Sequence, residues 1–428
     1  MPSSVELWPH QALWGDKLLN GDLVALWWAM RTGKTFTAIH GSRDGDRLII
    51  CPNSVKPVWA KDLSLMGEED TMVWNGKSRR RNRPKNLIVN YESIWRHPDL
   101  LEGNWDTVIF DESHRLSNMR TQLWKGIQAA LPMLHSNRII LLSGTPCPEG
   151  PHQLITQSIL AVGSYCGHTD PWQALRAGWD YNEWNYKWEP KPGTEAKAKA
   201  IMHSYGKAMT QAEAGINTKK LYQTLPIEAG AHELKLWREN YAENMEPMQL
   251  AQLAQSCASG RDPGTGTTSA STKLDAVIEY AKELDQPVVI LCHFLSSVEY
   301  LCGKLSGAGI KCARICGEDG LGAEGRFALI ESFNAGKVRA IVATVPTVKV
   351  GLNLSHSNTL VFAENNWSGE ARIQAEERGT VRGKDAMEII DFGLTCADEM
   401  LGAIDFRIAG AVRGKQDFNS AMLTEKRI

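Results

Sequence analysis

Thr107-Val108-Ile109-Phe110-Asp111-Glu112-Ser113-His114 is a short apolar run that ends in two adjacent carboxylates. An uninterrupted apolar run bounded by charge has the pattern of a strand buried on both faces of a parallel sheet. In such sheets ligands gather beyond the C-terminal ends of the strands, which is where Asp111 and Glu112 fall. Two carboxylates there can divide the work of nucleotide hydrolysis. Asp111 would hold a magnesium ion through its water shell, and Glu112 would polarise the water that attacks a γ-phosphate. His114, two places on, would report the state of that site to a bound polymer. A buried strand running into an ordinary charged turn is the plain alternative, so the meaning of this stretch depends on the rest of the chain.

Met30-Arg31-Thr32-Gly33-Lys34-Thr35 supplies the complement. Leu23–Trp28 reads as a buried strand and Phe36-Thr37-Ala38-Ile39 as the start of a helix. Gly-Lys-Thr at such a joint is a phosphate cradle. Backbone N–H groups of Arg31, Thr32 and Gly33 and the helix N-terminus face the phosphates, Lys34 reaches the β and γ groups, and Thr35 takes a magnesium position. Trp28 stands where the usual pattern has its first glycine, and Arg31 takes a place often held by glycine, so the loop must turn on ordinary residues. ATP and Mg2+ are the cofactors this pairing implies.

Bulk properties bound the class. A length of 428 residues suits two or three domains, and 43% hydrophobic with 22% charged residues is the composition of an ordinary globular protein. A formal net charge of -2 excludes a polybasic chain, so any nucleic-acid contact must be a local patch. Nine cysteines without a CxxC pair point to reduced thiols in a cytoplasm, that of the host if the protein is viral. Cys302, Cys312 and Cys316 lack zinc spacing and read as core thiols. No apolar run is long enough to span a bilayer.

The expected fold class is α/β, with two parallel-sheet lobes and a mostly helical insertion between them. Residues 1–150 carry apolar strands at 23–28, 48–51, 87–89, 107–110 and 138–142. Residues 273–428 carry a second series at 288–292, 312–315, 339–343, 359–362 and 388–392, without a second Gly-Lys-Thr. One phosphate loop for two sheets predicts a nucleotide held in a cleft between them. The intervening 151–272 contains an aromatic run (Trp172, Trp179, Tyr181, Trp184, Tyr186, Trp188), a helix over 231–256 and a flexible linker or disordered loop over 259–269. The aromatic run either stacks on unpaired bases or covers a small core, and packing is the better reading. Arg79-Arg80-Arg81-Asn82-Arg83-Pro84-Lys85 is either a phosphate grip or a solvated loop.

In their order, these motifs resemble those of superfamily 2 helicases, and among them the Swi/Snf-type DNA translocases. Leu7-Trp8-Pro9-His10-Gln11 is similar to the motif whose Gln reads the adenine edge. Cys51-Pro52-Asn53-Ser54-Val55, followed by Trp59, resembles the segment that tracks one DNA strand, and Asn90-Tyr91-Glu92-Ser93 the next block. Asp111-Glu112-Ser113-His114 matches motif II, and Ser143-Gly144-Thr145-Pro146 matches motif III, which in the family couples hydrolysis to DNA movement. Later come Arg326 with Phe333-Asn334, then Thr344 with Val350-Gly351-Leu352-Asn353, then Asn366-Trp367-Ser368, and finally Gln374-Ala375-Glu376-Glu377-Arg378-Gly379-Thr380-Val381-Arg382, similar to motifs IV to VI. The resemblance covers nearly the whole chain except the middle segment. It implies a RecA-like ATP-binding lobe and a RecA-like C-terminal lobe. The implied catalytic residues are Lys34, Asp111, Glu112, Arg378 and Arg382. Gln11 and Gly351 join the phosphate loop in nucleotide binding, and His114, Ser143, Thr145 and Gln374 serve as coupling residues.

Motif VI departs from the family pattern. The second arginine usually stands three places after the first, where this chain has Val381, and Arg382 is one place late. A cation facing the phosphoryl group is worth several powers of ten in rate, so the shift matters. Arg378 keeps its position, and Arg382 serves if Gly379 and Gly383 let the turn bulge by one residue. Three functions are then in play. The first is an ATP-driven motor that translocates on duplex DNA. The second is a strand-separating helicase acting on forks, joints or RNA. The third is a nucleotide-dependent DNA clamp that has lost turnover. The expected protein is a monomer that works without a membrane, and phage or host replication and recombination proteins are its expected partners.

Overall fold

The computed structural model describes residues 5–76, 83–100, 103–183, 187–317, 320–348 and 353–424. They form two compact units, Met1–Gly215 with Asp417–Ile428, and Ile216–Gln416. The division falls inside the 151–272 segment, whose two halves belong to different units.

The first unit is built on β1 (Ala25–Trp28), β2 (Arg47–Cys51), β3 (Thr71–Val73), β4 (Asn86–Asn90), β5 (Gly103–Asp111) and β6 (Leu134–Leu142). A small antiparallel hairpin, β7 (Trp179–Asn182) with β8 (Lys187–Pro190), follows, and β9 (Gly206–Met209) returns to the main sheet. That sheet is parallel throughout, in the order β3-β4-β2-β5-β6-β1-β9. Helices cover both faces, which is why Ala25–Trp28 and Arg47–Cys51 are buried at every position. One face packs Trp27, Ile50, Phe110 and Leu141, and the other Trp28, Ile49, Ile109 and Leu142, as the alternation of a strand requires.

The second unit holds β10 (Lys219–Glu228), β11 (Val288–Cys292), β12 (Cys312–Ile315), β13 (Ala340–Thr344), β14 (Thr359–Phe362) and β15 (Ala386–Thr395). They form a parallel sheet in the order β10-β15-β14-β11-β13-β12. Both sheets are therefore α/β as expected, and each gains an edge strand, β9 or β10, from the middle segment.

That segment differs from expectation at its helix. The helix expected over 231–256 is two, Ala231–Asn240 and Pro247–Ala258, because Pro247 opens a new helix at its first turn. The stretch 259–269 forms a loop with its own hydrogen bonds. Asp262 Oδ1 accepts from the backbone of Gly264 and Thr265, and Thr268 Oγ1 bonds Ser296 Oγ at 3.0 Å. Trp179 is buried, with Trp172 and Trp188 packed around the same core. Trp184 and Tyr186 lie outside the described residues, as do Arg79 to Asn82. Arg83 stacks on Trp105, 3.5 Å from the ring centre. Among the described residues no helix is long and apolar enough to cross a membrane.

Candidate nucleotide site

β1, β5 and β6 lie side by side, and the residues that follow each of them meet at one end of the first sheet. After β1 the chain turns through Ala29–Gly33 into the helix Lys34–His40. Arg31 has φ 65° and Gly33 φ 87°, so the loop makes its turn with two left-handed residues. This explains how the chain manages without a glycine at Trp28, and why a glycine is usual at position 31. Among the described residues only three non-glycines have positive φ, and Arg31 and Glu112 are two of them. Such strain collects where function demands a fixed geometry. Arg31→Gly removes a Cβ clash worth about 1 kcal/mol. The variant should melt no lower than wild type, and a clear drop in a thermal scan would mean that the arginine side chain holds the loop.

Lys34 Nζ donates to the carbonyls of Trp28 (2.8 Å) and Ala29 (3.2 Å), which keeps the ammonium over the mouth of the loop. Thr32 is buried, its hydroxyl donating to Ala29 O at 2.8 Å, while Thr35 is half-buried in the first helical turn. Gln11 reaches the same place from the N-terminal helix Pro9–Leu19. Its Oε1 accepts from Trp8 N at 2.9 Å, and its Nε2 lies so close to Gly33 that a Cβ there would sit 1.8 Å away. His10 Nε2 bonds Thr32 O at 3.0 Å. The expected adenine-reading segment is thus packed on the phosphate loop.

β5 delivers the carboxylates. Asp111 is buried, and each of its oxygens accepts one bond: Oδ1 from Glu112 N at 3.0 Å and Oδ2 from the indole of Trp59 at 2.8 Å. Tyr91 Oη donates to Asp111 O at 2.7 Å. Burial pushes the Asp111 carboxyl above the usual range and the charge of Glu112 adds to this, while the Trp59 indole and Lys34 pull the other way. A buried carboxylate that resists ionisation beside a second one is chemically suited to a cation, so the residues present fit Mg2+.

Asp62, on the helix Lys56–Leu65, belongs to the same field: burial raises its carboxyl to about 6, with Lys61 opposing and Asp111 assisting. A raised native value means that this group's contribution is fully present below its ordinary value and is lost as pH climbs through about 6. Asp62→Asn should therefore stabilise the protein at pH 8, by on the order of 2 kcal/mol, and not at pH 4. Melting curves at the two values check this.

Three of the expected coupling residues, His114, Ser143 and Thr145, also come together, while Gln374 lies in the second unit. His114 Nδ1 lies 2.9 Å from Ser143 Oγ and 3.4 Å from Glu112 Oε2, bridging the end of β5 to the loop after β6. Ser143 Oγ accepts from Thr145 N at 3.1 Å, and Thr145 is buried. Ser113 Oγ donates to Gln157 Oε1 at 2.8 Å, which pins the motif from behind. Sequence reasoning missed Gln157 and the buried holds by Tyr91 and Trp59. A fully buried Trp cannot itself touch a DNA strand, and its polar partner stands 52 positions later.

In the second unit, Gln374 and Arg378 lie on and just after the helix Gly369–Glu377, capped by Ser368 Oγ. Arg372 fixes that helix: Nε bonds Glu376 Oε1 at 2.6 Å, both guanidinium nitrogens reach Asp391, and the plane stacks 3.4 Å from the Phe362 ring centre. Lys220 and Tyr222, on β10, reach Glu376 from the other side, at 3.1 and 2.8 Å. Arg378 is half-buried and Arg382 exposed. Lys384 ties the turn between them by donating to the carbonyls of Ser355, Ser357 and Gly379, and Gly383 has φ 85°. Gly351 lies outside the described residues.

Two parallel-sheet α/β units, one with a phosphate loop and a strand-end Asp-Glu pair, are the architecture of helicase-type nucleoside triphosphatases. The family model of the SNF2-related domain matches residues 22–174, and that of the helicase conserved C-terminal domain matches residues 272–382. The chain belongs to the SNF2-related branch of the superfamily 2 ATPases. It is similar to the SWI/SNF-related matrix-associated actin-dependent regulator of chromatin subfamily A-like protein 1 of Xenopus tropicalis, 25% identical over 386 residues, with 82% of this chain and 38% of that protein aligned. The Drosophila melanogaster protein of that description is 25% identical over 376 residues, covering 82% and 47%. A probable global transactivator of Orgyia pseudotsugata multicapsid polyhedrosis virus is 20% identical over 418 residues, covering 82% and 77%. The chain spans 37–38% of the length of the vertebrate relatives. Among solved structures, the Sulfolobus solfataricus SWI2/SNF2 ATPase core in complex with dsDNA aligns with 99% of this chain and 98% of its own at a TM-score of 0.47 and 16% identity.

Proposed function

We propose that the protein is an ATP-dependent motor that hydrolyses ATP to translocate on double-stranded DNA. The observation that carries this reading is the convergence of Lys34, Asp111, Glu112 and the His114–Ser143 bridge at one end of the first sheet. Backbone N–H groups of Arg31 to Lys34 and the Lys34 ammonium bind the phosphates, and Gln11 lies where it can read the base. Asp111 and Thr35 would hold Mg2+, which supplies charge neutralisation between the phosphates when bound. Glu112 orients and polarises the attacking water. Arg378 supplies the cation that stabilises charge on the transferring group, with Arg382 as its second candidate.

His114 links that chemistry to the track. A change of contact at Glu112 on hydrolysis alters the hydrogen bond that His114 shares with Ser143, and the 143–145 loop passes the change on. DNA is the track that the family membership favours, and duplex the form favoured by the resemblance to translocases. The discriminating experiment is ATP-driven displacement of a triplex-forming strand, run beside a fluorescent duplex-unwinding assay. A translocase displaces the third strand and leaves the duplex closed. Duplex opening would favour the strand-separating alternative.

A further inference from the structure

Asp111 is gripped by its neighbours, and one of the grips is unusual for a residue of its surroundings. Trp59 lies on the helix Lys56–Leu65, fully buried among Ile49, Leu63, Ile88 and Ile109. An indole has one donor and no acceptor, so burying it in a core demands one polar partner. Here the partner is the Asp111 carboxylate, at 2.8 Å. With Glu112 N on the other oxygen, the carboxylate carries one donor at each end and cannot rotate without breaking both bonds. Each oxygen keeps one lone-pair direction for anything else that binds. Phenylalanine would keep an apolar ring there, smaller than the indole, and would leave Oδ2 buried with no such donor.

We propose that Trp59 is a positioning residue for nucleotide hydrolysis. Its N–H fixes the orientation of the Asp111 carboxylate and thereby sets the protein's affinity for the divalent cation that accompanies the nucleotide. This rests on the nucleotide reading above. Outer partners of a metal-binding carboxylate are worth 10–100-fold in metal affinity as an order of magnitude. The effect is on cation affinity, so it is visible without turnover.

The test is binding of a fluorescent ADP analogue titrated with Mg2+. Trp59→Phe should raise the half-saturating Mg2+ concentration by about 10-fold or more, with nucleotide affinity recovering at saturating Mg2+. Trp124→Phe is the control: it truncates another buried tryptophan, in the core on the opposite face of the same sheet, and should leave the Mg2+ midpoint in place. If Trp59→Phe fails to fold, a benzothienylalanine introduced at position 59 by nonsense suppression keeps the bicyclic volume and lacks the N–H, with the same expectation. An unchanged midpoint in the position-59 variant, or equal shifts at positions 59 and 124, would overturn the proposal. A wild-type protein that binds no nucleotide at any Mg2+ concentration would overturn the underlying reading instead.

Discussion

Glu112→Gln is expected to bind ATP about as well as wild type and to lose turnover by three orders of magnitude or more. Glutamine keeps the size of the side chain, and it removes the negative charge proposed to polarise the attacking water. The backbone geometry supports so clean an effect. Glu112 is held at φ 53° between the end of β5 and the short helical turn Ser113–Leu116, so its side chain is aimed by the main chain. Lys34→Ala should fail earlier. The ammonium lies at the loop mouth on the carbonyls of Trp28 and Ala29, and without it the proposed phosphate site loses the cation that the loop itself supplies. Nucleotide affinity and turnover should both collapse. Filter binding of labelled ATP beside a phosphate-release assay separates the two variants: binding without release for Glu112→Gln, neither for Lys34→Ala.

The largest effect on stability is expected at Arg372, where Arg372→Met should destabilise the second unit by roughly 3–5 kcal/mol. Its guanidinium is buried between Glu376 and Asp391, with Asn365 as a further acceptor. Methionine fills the space and leaves two carboxylates facing a core. At this size, such a loss lowers the melting temperature by some 6–20 °C. The pH dependence has a definite sign. Although burial works against it, Lys220 and Arg372 hold the Glu376 carboxyl down to about 2. A depressed native value contributes stability that is present above the ordinary carboxylate range and lost as pH falls through about 2. The gap between wild type and Arg372→Met should therefore be widest near neutrality and narrow on acidification below about 4.5. Denaturant titrations at pH 7 and pH 3 check this, and a constant gap would mean that packing rather than charge holds the helix Gly369–Glu377.

Buried parallel strands were legible because they are apolar without interruption, and Val288–Cys292 and Thr359–Phe362 fall where the runs do. β3, β9 and β10 were not. Thr71–Val73 is a three-residue edge strand, Gly206–Met209 has no apolar run, and Lys219–Glu228 is an edge strand whose apolar residues are broken up by Lys, Gln, Thr and Glu. At the site, short-range chemistry was readable: Gly33-Lys34-Thr35, Asp111-Glu112 and the His114 and Ser143 positions are local motifs. What holds them was not, because Trp59 on Asp111, Gln157 on Ser113 and Lys220 on Glu376 are contacts across long stretches of chain. The positive φ of Arg31 is an intermediate case. The missing glycines flagged a loop that must turn by other means, and only the backbone revealed which residue carried the turn.

The proposed motor hydrolyses ATP in response to a DNA track. The most direct measurement is the steady-state rate of phosphate release by the intact chain with no nucleic acid, duplex DNA, single-stranded DNA, forked DNA and RNA. A motor of the proposed kind releases phosphate slowly alone and much faster with duplex DNA, and Glu112→Gln abolishes both rates. A rate that no nucleic acid raises would contradict it.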